Sequence, residues 1–287
     1  MFLGGASPMR ASRGAAACVP LPDLPPVIGH RGAAGCAPEN TLAGLRRAAA
    51  LGCRWVEFDV RLTADGELVL LHDGRLERTT DGYGKVHALP LSAIRHCDAG
   101  NRFGPCFAGE PVPSLAEAIA ALAELGLGAN VELKAGRRCA VETGTAAADV
   151  LARLWPSQLP APLISSFVTE ALAAARHRAP TIAGGLLVRG VPRNWRRRAG
   201  ALGCTTVNAD QRLLRPRIVA ELRRAGYPVL AYTVNDAARA RELFDWGVTS
   251  VFSDVPHMIL AALPAGLSQA RAAPGCLSAT VRQEASQ

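Results

Sequence analysis

The stretch Arg54-Trp55-Val56-Glu57-Phe58-Asp59-Val60-Arg61-Leu62-Thr63-Ala64-Asp65-Gly66-Glu67-Leu68-Val69-Leu70-Leu71-His72-Asp73 decides how the rest of the chain is read. Residues 55–60 are rich in strand formers, and residues two apart in a strand share a face. Glu57 and Asp59 should therefore point the same way, about 7 Å apart. Asp65-Gly66 is a two-residue hairpin signal followed by the apolar run 68–71, which predicts that the chain folds back on itself. Pairing about that turn sets Asp59 opposite His72. One hairpin would then bring two hard oxygen ligands and a group that titrates near neutral pH to one place, a combination suited to a divalent metal with an acid/base partner. The plainer account of the same residues is an exposed strand face with scattered charges.

A chain of 287 residues, 49% of them hydrophobic, can bury a large core, and α/β barrels of this length are single domains. The formal charge of +8 points to anionic partners without choosing between nucleic acid, a phospholipid headgroup and a phosphorylated metabolite. No run is long enough to span a bilayer. Residues 1–26 are rich in Ala, Gly, Pro and Arg and read as a disordered leader. Their weak apolar patch at 15–19 makes a poor secretory signal, so a cytoplasmic location is expected. The eight cysteines include no C-x-x-C pair, which argues against a zinc knuckle and for free thiols.

From Val27 a rhythm of strand and helix sets in. A short apolar run at 27–30 is followed by a helical pattern at 41–52, with Asn40 placed as its N-cap. After the hairpin, residues 74–113 are polar and Gly-rich and break the rhythm. It resumes at Ser114, which stands at capping-box spacing from Glu117. Strands at 129–133, 163–166, 181–188, 205–208, 229–233 and 250–252 then alternate with helices, including a basic one at 193–202. Without the hairpin's return strand this gives eight strands, the number that closes a (β/α)8 barrel of the TIM type. The doubly wound open sheet is the alternative. The expected organisation is a barrel over 27–263, with the insertion 74–113 over the carboxyl-end mouth and a frayed tail at 264–287.

A barrel's chemistry sits at the carboxyl ends of its strands. His30-Arg31-Gly32 ends the first strand, where the fixed fork of Arg31 can grip a phosphate. Glu39 stands in the following loop, where a carboxylate beside His30 could orient the ring or a metal shell. Asn130, Glu132 and Lys134 share one strand face, and a buried Glu and Lys are costly unless they bind a metal, an anion or each other. Three carboxylates with two histidines, an arginine and a lysine beside them make a site for a phosphate ester. Oxygen ligands favour Mg²⁺ or Ca²⁺ over zinc.

His30-Arg31-Gly32, Ala37-Pro38-Glu39-Asn40-Thr41, Glu57-Phe58-Asp59, His72-Asp73 and Glu132-Leu133-Lys134, in that order, resemble the glycerophosphodiester phosphodiesterase family, in its bacterial cytoplasmic type. The likeness continues through Ser166-Phe167, Tyr232-Thr233-Val234-Asn235 and Phe252-Ser253-Asp254-Val255-Pro256, covering about residues 27 to 260. It implies a TIM barrel and one divalent metal held by Glu57, Asp59 and Glu132. It implies acid/base work by His30 and His72, phosphate contacts from Arg31 and Lys134, and Glu39 in the metal or substrate network. The implied reaction is metal-dependent hydrolysis of a small glycerophosphodiester to sn-glycerol 3-phosphate and an alcohol. Tyr232 departs from the family's frequent Trp but keeps an aromatic platform against substrate.

Two rival functions stay in view. A phospholipase C- or D-like activity on lyso-phospholipids shares the chemistry but needs an apolar groove. A protein that binds an anionic polymer is motivated only by positive charge. The arginines of 193–198 read as a solvated helix face, so neither nucleic acid nor stable membrane insertion is expected.

Overall fold

Eight parallel strands close on one another in the computed structural model, which describes Val19 and residues 21–264. In chain order the strands are β1 (Val27–Gly29), β2 (Trp55–Leu62), β3 (Leu68–Leu70), β4 (Gly128–Leu133), β5 (Leu163–Ser166), β6 (Ala183–Val188), β7 (Thr206–Asp210), β8 (Val229–Tyr232) and β9 (Ser250–Ser253). All are parallel except β3, which returns antiparallel along β2. β1 pairs with β2 through Gly29 and Val56, and with β9 through Val27 and Val251, so no edge is left open. The expected TIM barrel is the fold.

Two apolar layers hold it. Outside the strands, the helices α1 (Leu42–Ala50), α2 (Leu91–Ile94), α3 (Leu115–Leu125), α4 (Ala140–Leu154), α5 (Thr169–Arg178), α6 (Trp195–Ala201), α7 (Pro216–Arg224), α8 (Ala237–Asp245) and α9 (Pro256–Ala262) complete the chain's rhythm. Except for α2, they bury apolar faces on the sheet. Inside, Leu24, Ile28, Trp55, Leu163, Ala183, Leu230 and Phe252 plug the amino-terminal end of the barrel. Gly128 makes room for this plug, because a Cβ there would sit 2.3 Å from the Trp55 indole. Above the plug the buried inward residues turn polar: Glu57, Asp59, Asn130, Glu132, Ser165 and Asn208. That change of character puts the chemistry at the carboxyl ends.

The hairpin differs from its expected form by one residue. Thr63 N donates to Glu67 O (2.9 Å) and Gly66 N to Thr63 O (3.3 Å), enclosing a three-residue loop with Gly66 at φ +83°. A glycine in that conformation lets the loop take a third residue. The register moves with it. Asp59 faces Leu71, whose N–H it accepts at 3.1 Å, rather than His72. His72 reaches the mouth because the chain leaves β3 there.

Asn40 is likewise not the cap of α1. Thr41 is, its hydroxyl accepting from Gly44 N at 3.0 Å, and Asn40 is free to turn inward. The capping box of Ser114 and Glu117 forms at the start of α3.

The expected leader 1–26 is ordered at its end: Leu24 is buried and Ser250 Oγ donates to Pro25 O (2.7 Å). Residues 1–18 and 20 of that leader, and 265–287 of the expected tail, lie outside the described residues.

The insertion 74–113 has a core of its own, with Leu76, Val86, Ile94, Ala99 and Val112 packed on Val69 of the return strand and Leu71 just after it. In the basic helix α6, Trp195 is buried and donates to Glu221 Oε1 (3.0 Å), while Arg196 stacks over its ring.

Candidate active site

Glu57 and Asp59 on β2 and Glu132 on β4 face inward where the polar layer begins, with Asp59 directly beside Glu132 in register. Each offers an oxygen within 4.8 Å of the others. Three carboxylates so close cannot all be anionic cheaply. Burial, then the charges of Asp59 and Glu132, holds Glu57 well above the ordinary carboxylate range. Burial, then Asp59, pushes Glu132 up to about 7. Against burial, Lys134 and Arg31 hold Asp59 low. Glu57 Oε1 is buried with no hydrogen-bond partner, an orphan that natural structures rarely leave. A hard divalent cation fits this donor set: it would satisfy the orphan and relieve the repulsion.

Asn40 grips Asp59 from both sides. Its Nδ2 donates to Asp59 Oδ2 (2.9 Å) and its Oδ1 accepts from Asp59 N (3.0 Å). Asn40 (φ +57°) and Arg31 (φ +52°) both have left-handed backbones, a strain of the kind that gathers at functional sites. In that conformation Arg31 N donates to Glu57 Oε2 at 3.1 Å.

Two imidazoles and two cations surround the cluster. His30 Nδ1 lies 2.6 Å from Asp254 Oδ1, which Asn235 holds from the other side through a 2.7 Å bond to Oδ2. His72 Nδ1 lies 2.7 Å from Asp73 Oδ1. Both rings thus have Nδ1 occupied by a carboxylate and Nε2 left for chemistry. Burial lowers the His72 pKa below its ordinary value, with Arg31 and Lys134 acting in the same sense against Asp59 and Asp73. Lys134 Nζ sits 2.6 Å from Glu132 Oε1 and 3.2 Å from Asp59 Oδ1. Arg31 reaches Glu39 Oε1 (2.8 Å) and Asp59 Oδ2 (3.4 Å).

His30, Arg31, His72, Glu132, Lys134 and Tyr232 line one open cavity of about 420 Å³, together with Phe167, Asp210, Gln211, Arg212 and Thr233. Tyr232 meets Phe167 edge to face, and its hydroxyl is tied to Val188 O (2.8 Å). Glu57 and Asp59 lie below. Glu39 lies outside this cavity and the carboxylate cluster; its Oε1 accepts from Arg31, and with His30, Arg31, Asn235 and Asp254 it lines an adjoining cavity of about 400 Å³. The carboxylate that orients His30 is Asp254, 224 positions away.

Residues 30–258 match the model of the glycerophosphoryl diester phosphodiesterase family. A glycerophosphodiester phosphodiesterase of Caldanaerobacter subterraneus subsp. tengcongensis is 31% identical over 235 residues, 82% of this chain and 96% of that protein. One from Bacillus subtilis is 30% identical over 257 residues, 83% of this chain and 86% of that protein. Among solved structures, an Oleispira antarctica phosphodiesterase in complex with the product sn-glycerol-3-phosphate superposes with a TM-score of 0.81 at 42% identity, covering 83% of this chain and 96% of that one. The Agrobacterium tumefaciens glycerophosphodiester phosphodiesterase gives 0.71 at 28% identity, covering 83% and 100%. With a barrel of this topology, a carboxylate cluster at its mouth and a family match across most of its length, the chain belongs to the glycerophosphoryl diester phosphodiesterase family.

Proposed function

We propose that this protein hydrolyses glycerophosphodiesters to sn-glycerol 3-phosphate and an alcohol, with one Mg²⁺ or Ca²⁺ ion held by Glu57, Asp59 and Glu132. The observation that carries the reading is the pairing of two imidazoles, each fixed through Nδ1 by a carboxylate, at the mouth above an oxygen-donor cluster with an orphaned oxygen. That is the equipment of a phosphoryl transfer in which one proton must leave a hydroxyl and another must reach a leaving alkoxide.

His72, whose burial favours the neutral ring, takes the proton of the glycerol 2-hydroxyl. That oxygen attacks phosphorus, the bond to the alcohol oxygen breaks, and His30 delivers a proton to the departing oxygen from Nε2. The cyclic phosphate is then opened by water with the roles reversed: His30 takes the water proton and His72 returns one to the 2-oxygen. Arg31 and Lys134 hold the non-bridging oxygens. The Tyr232 ring, locked by its hydroxyl, walls the glycerol side. A divalent ion held by Glu57, Asp59 and Glu132 would supply positive charge against the negative charge that develops on the phosphoryl oxygens.

The reading includes a cytoplasmic location. It is supported by six unpaired cysteines among the described residues, two of them buried with thiols pushed up to about 12. No helix among the described residues is long and apolar enough to cross a membrane.

The test is a panel of glycerophosphodiesters with different alcohols, followed by phosphorus NMR. Sn-glycerol 3-phosphate should appear from several members. Release of a phospho-alcohol instead, or turnover only of lyso-phospholipids, would replace this reading with the phospholipase C- or D-like one.

A further inference from the structure

The insertion 74–113, a lobe with its own core, meets the site at the guanidinium of Arg78. Arg78 Nε donates to Asp73 Oδ2 (2.6 Å) and Nη2 to Asp73 Oδ1 (3.3 Å). Its other edge serves Glu39, with Nη1 on Oε2 (2.8 Å) and Nη2 on Oε1 (2.7 Å). Asp73 is the carboxylate that fixes His72, and Glu39 the one that receives Arg31. Four of the five N–H groups are thus used in two bidentate pairs, a geometry open to arginine and closed to lysine.

The element that carries Arg78 is firmly placed. Leu76 and Thr80 on either side are buried, Thr80 N donates to Leu76 O (3.1 Å), and the Thr80 hydroxyl donates to the same oxygen (2.9 Å). Ala34, Pro38 and Glu39 of the barrel share a crevice of about 140 Å³ with Arg78 and Thr79 of this turn, and the insertion is tied to the same side of the barrel a second time where Ala43 N donates to Glu110 Oε1 (2.8 Å).

We propose that Arg78 is a positioning residue for catalysis: by clamping Asp73 and Glu39 together it sets the orientation of His72 and Arg31 at once, coupling the seating of the lobe to the reaction. The inference rests on the roles proposed for those two residues. Solvent screens a pair as exposed as this one, so its charge attraction alone contributes little to stability, and what the double fork adds is fixed geometry. The half-exposed Arg78 side chain therefore does more for geometry than for stability. Without it Asp73 can rotate off His72 Nδ1, releasing the ring's tautomer and aim, and Glu39 loses the partner that opposes Arg31.

The test compares Arg78→Ala, Arg78→Lys, Asp73→Asn and Glu39→Gln, alone and with Arg78→Ala, in steady-state kinetics, with melting midpoints alongside. Arg78→Ala should lower kcat/KM by about 10- to 100-fold, the usual worth of a group that orients a side chain in contact with the reacting atoms. Its kcat loss should be non-additive with Asp73→Asn and its KM rise non-additive with Glu39→Gln, because each pair breaks one link. Added guanidinium ion at millimolar concentration should restore part of the Arg78→Ala activity and none of the Asp73→Asn activity. Arg78→Lys, which keeps the charge without the double fork, should fold normally and fall between the two, which keeps the test decisive if the alanine variant unfolds. Wild-type kinetics in Arg78→Lys together with an additive or absent effect in Arg78→Ala would overturn the proposal. Inactivity of the wild type toward every glycerophosphodiester would instead overturn the proposed function, so the two failures are distinct.

Discussion

His30 Nδ1 and Asp254 Oδ1 stand 2.6 Å apart across 224 positions of sequence, joining the end of β1 to the end of β9 where the barrel closes. The pair forms only if the barrel shuts. Asp254 is held below the ordinary carboxylate range against the cost of burial, by its bonds to His30 and Asn235. Asp254→Asn would leave His30 in place and put an amide where a carboxylate now fixes its Nδ1. It should lower kcat by about 10² while leaving KM and the melting midpoint nearly unchanged. An unchanged kcat would show that His30 needs no orienting partner.

The two imidazoles should differ in what rescues them. His30→Ala and His72→Ala should each lower turnover by about 10² to 10⁴. A nitrophenol leaving group needs no acid, so such a substrate should restore His30→Ala and leave His72→Ala slow. Both variants should bind metal as the wild type does, since neither ring belongs to the carboxylate cluster. Rescue of the His72 variant instead would reverse the assignment of base and acid.

Stability and metal should be linked through pH. Glu132 is raised from its ordinary 4.5 to about 7, so the metal-free fold binds a proton that the unfolded chain has already released over that window. The sign follows. The stabilising contribution of this group is complete below about 4.5 and is lost as pH rises through about 7. A divalent ion replaces that proton. The gain in melting midpoint on adding Mg²⁺ or Ca²⁺ should therefore widen from pH 5 to pH 8. Calorimetric titration near pH 6 should show protons released on binding. A metal-induced gain that is constant or shrinks with rising pH would place the ion elsewhere.

The eightfold alternation was legible because parallel strands buried on both faces read as short apolar runs between helical patterns. Glu57, Asp59 and Glu132 stood out within those runs, since carboxylates at strand spacing have no business in an apolar barrel unless something binds them. The hairpin register was not legible. Asp65-Gly66 signals a turn, but whether Ala64 joins the loop depends on the backbone of Gly66, and one residue moves every pairing. Asn40 and Thr41 are adjacent and both can cap, so the sequence could not say which one would turn inward to Asp59. The partners Asp254 of His30 and Arg78 of Glu39 were not assignable, because pairs 224 and 39 positions apart leave no local pattern.

The interior plug offers a check on the fold itself. A Cβ at Gly128 would fall 2.3 Å from the fully buried Trp55 ring, which has no room to retreat. Gly128→Ala should cost about 1–3 kcal/mol in a denaturant melt, as overpacking does. Gly66→Ala, where nothing lies within 4 Å, should cost less and only through its left-handed backbone, about 1 kcal/mol. Equal costs at the two positions would contradict the packing described for the barrel interior.

The most direct measurement is the rate of sn-glycerol 3-phosphate formation from one glycerophosphodiester by metal-stripped protein, titrated with Mg²⁺ or Ca²⁺, for the wild type and Glu57→Gln. The account predicts no turnover without metal and saturable recovery in the wild type. Glu57→Gln, folded as the wild type is, should recover little at any concentration. Full turnover in excess chelator, or a Glu57→Gln protein that recovers like the wild type, would contradict it.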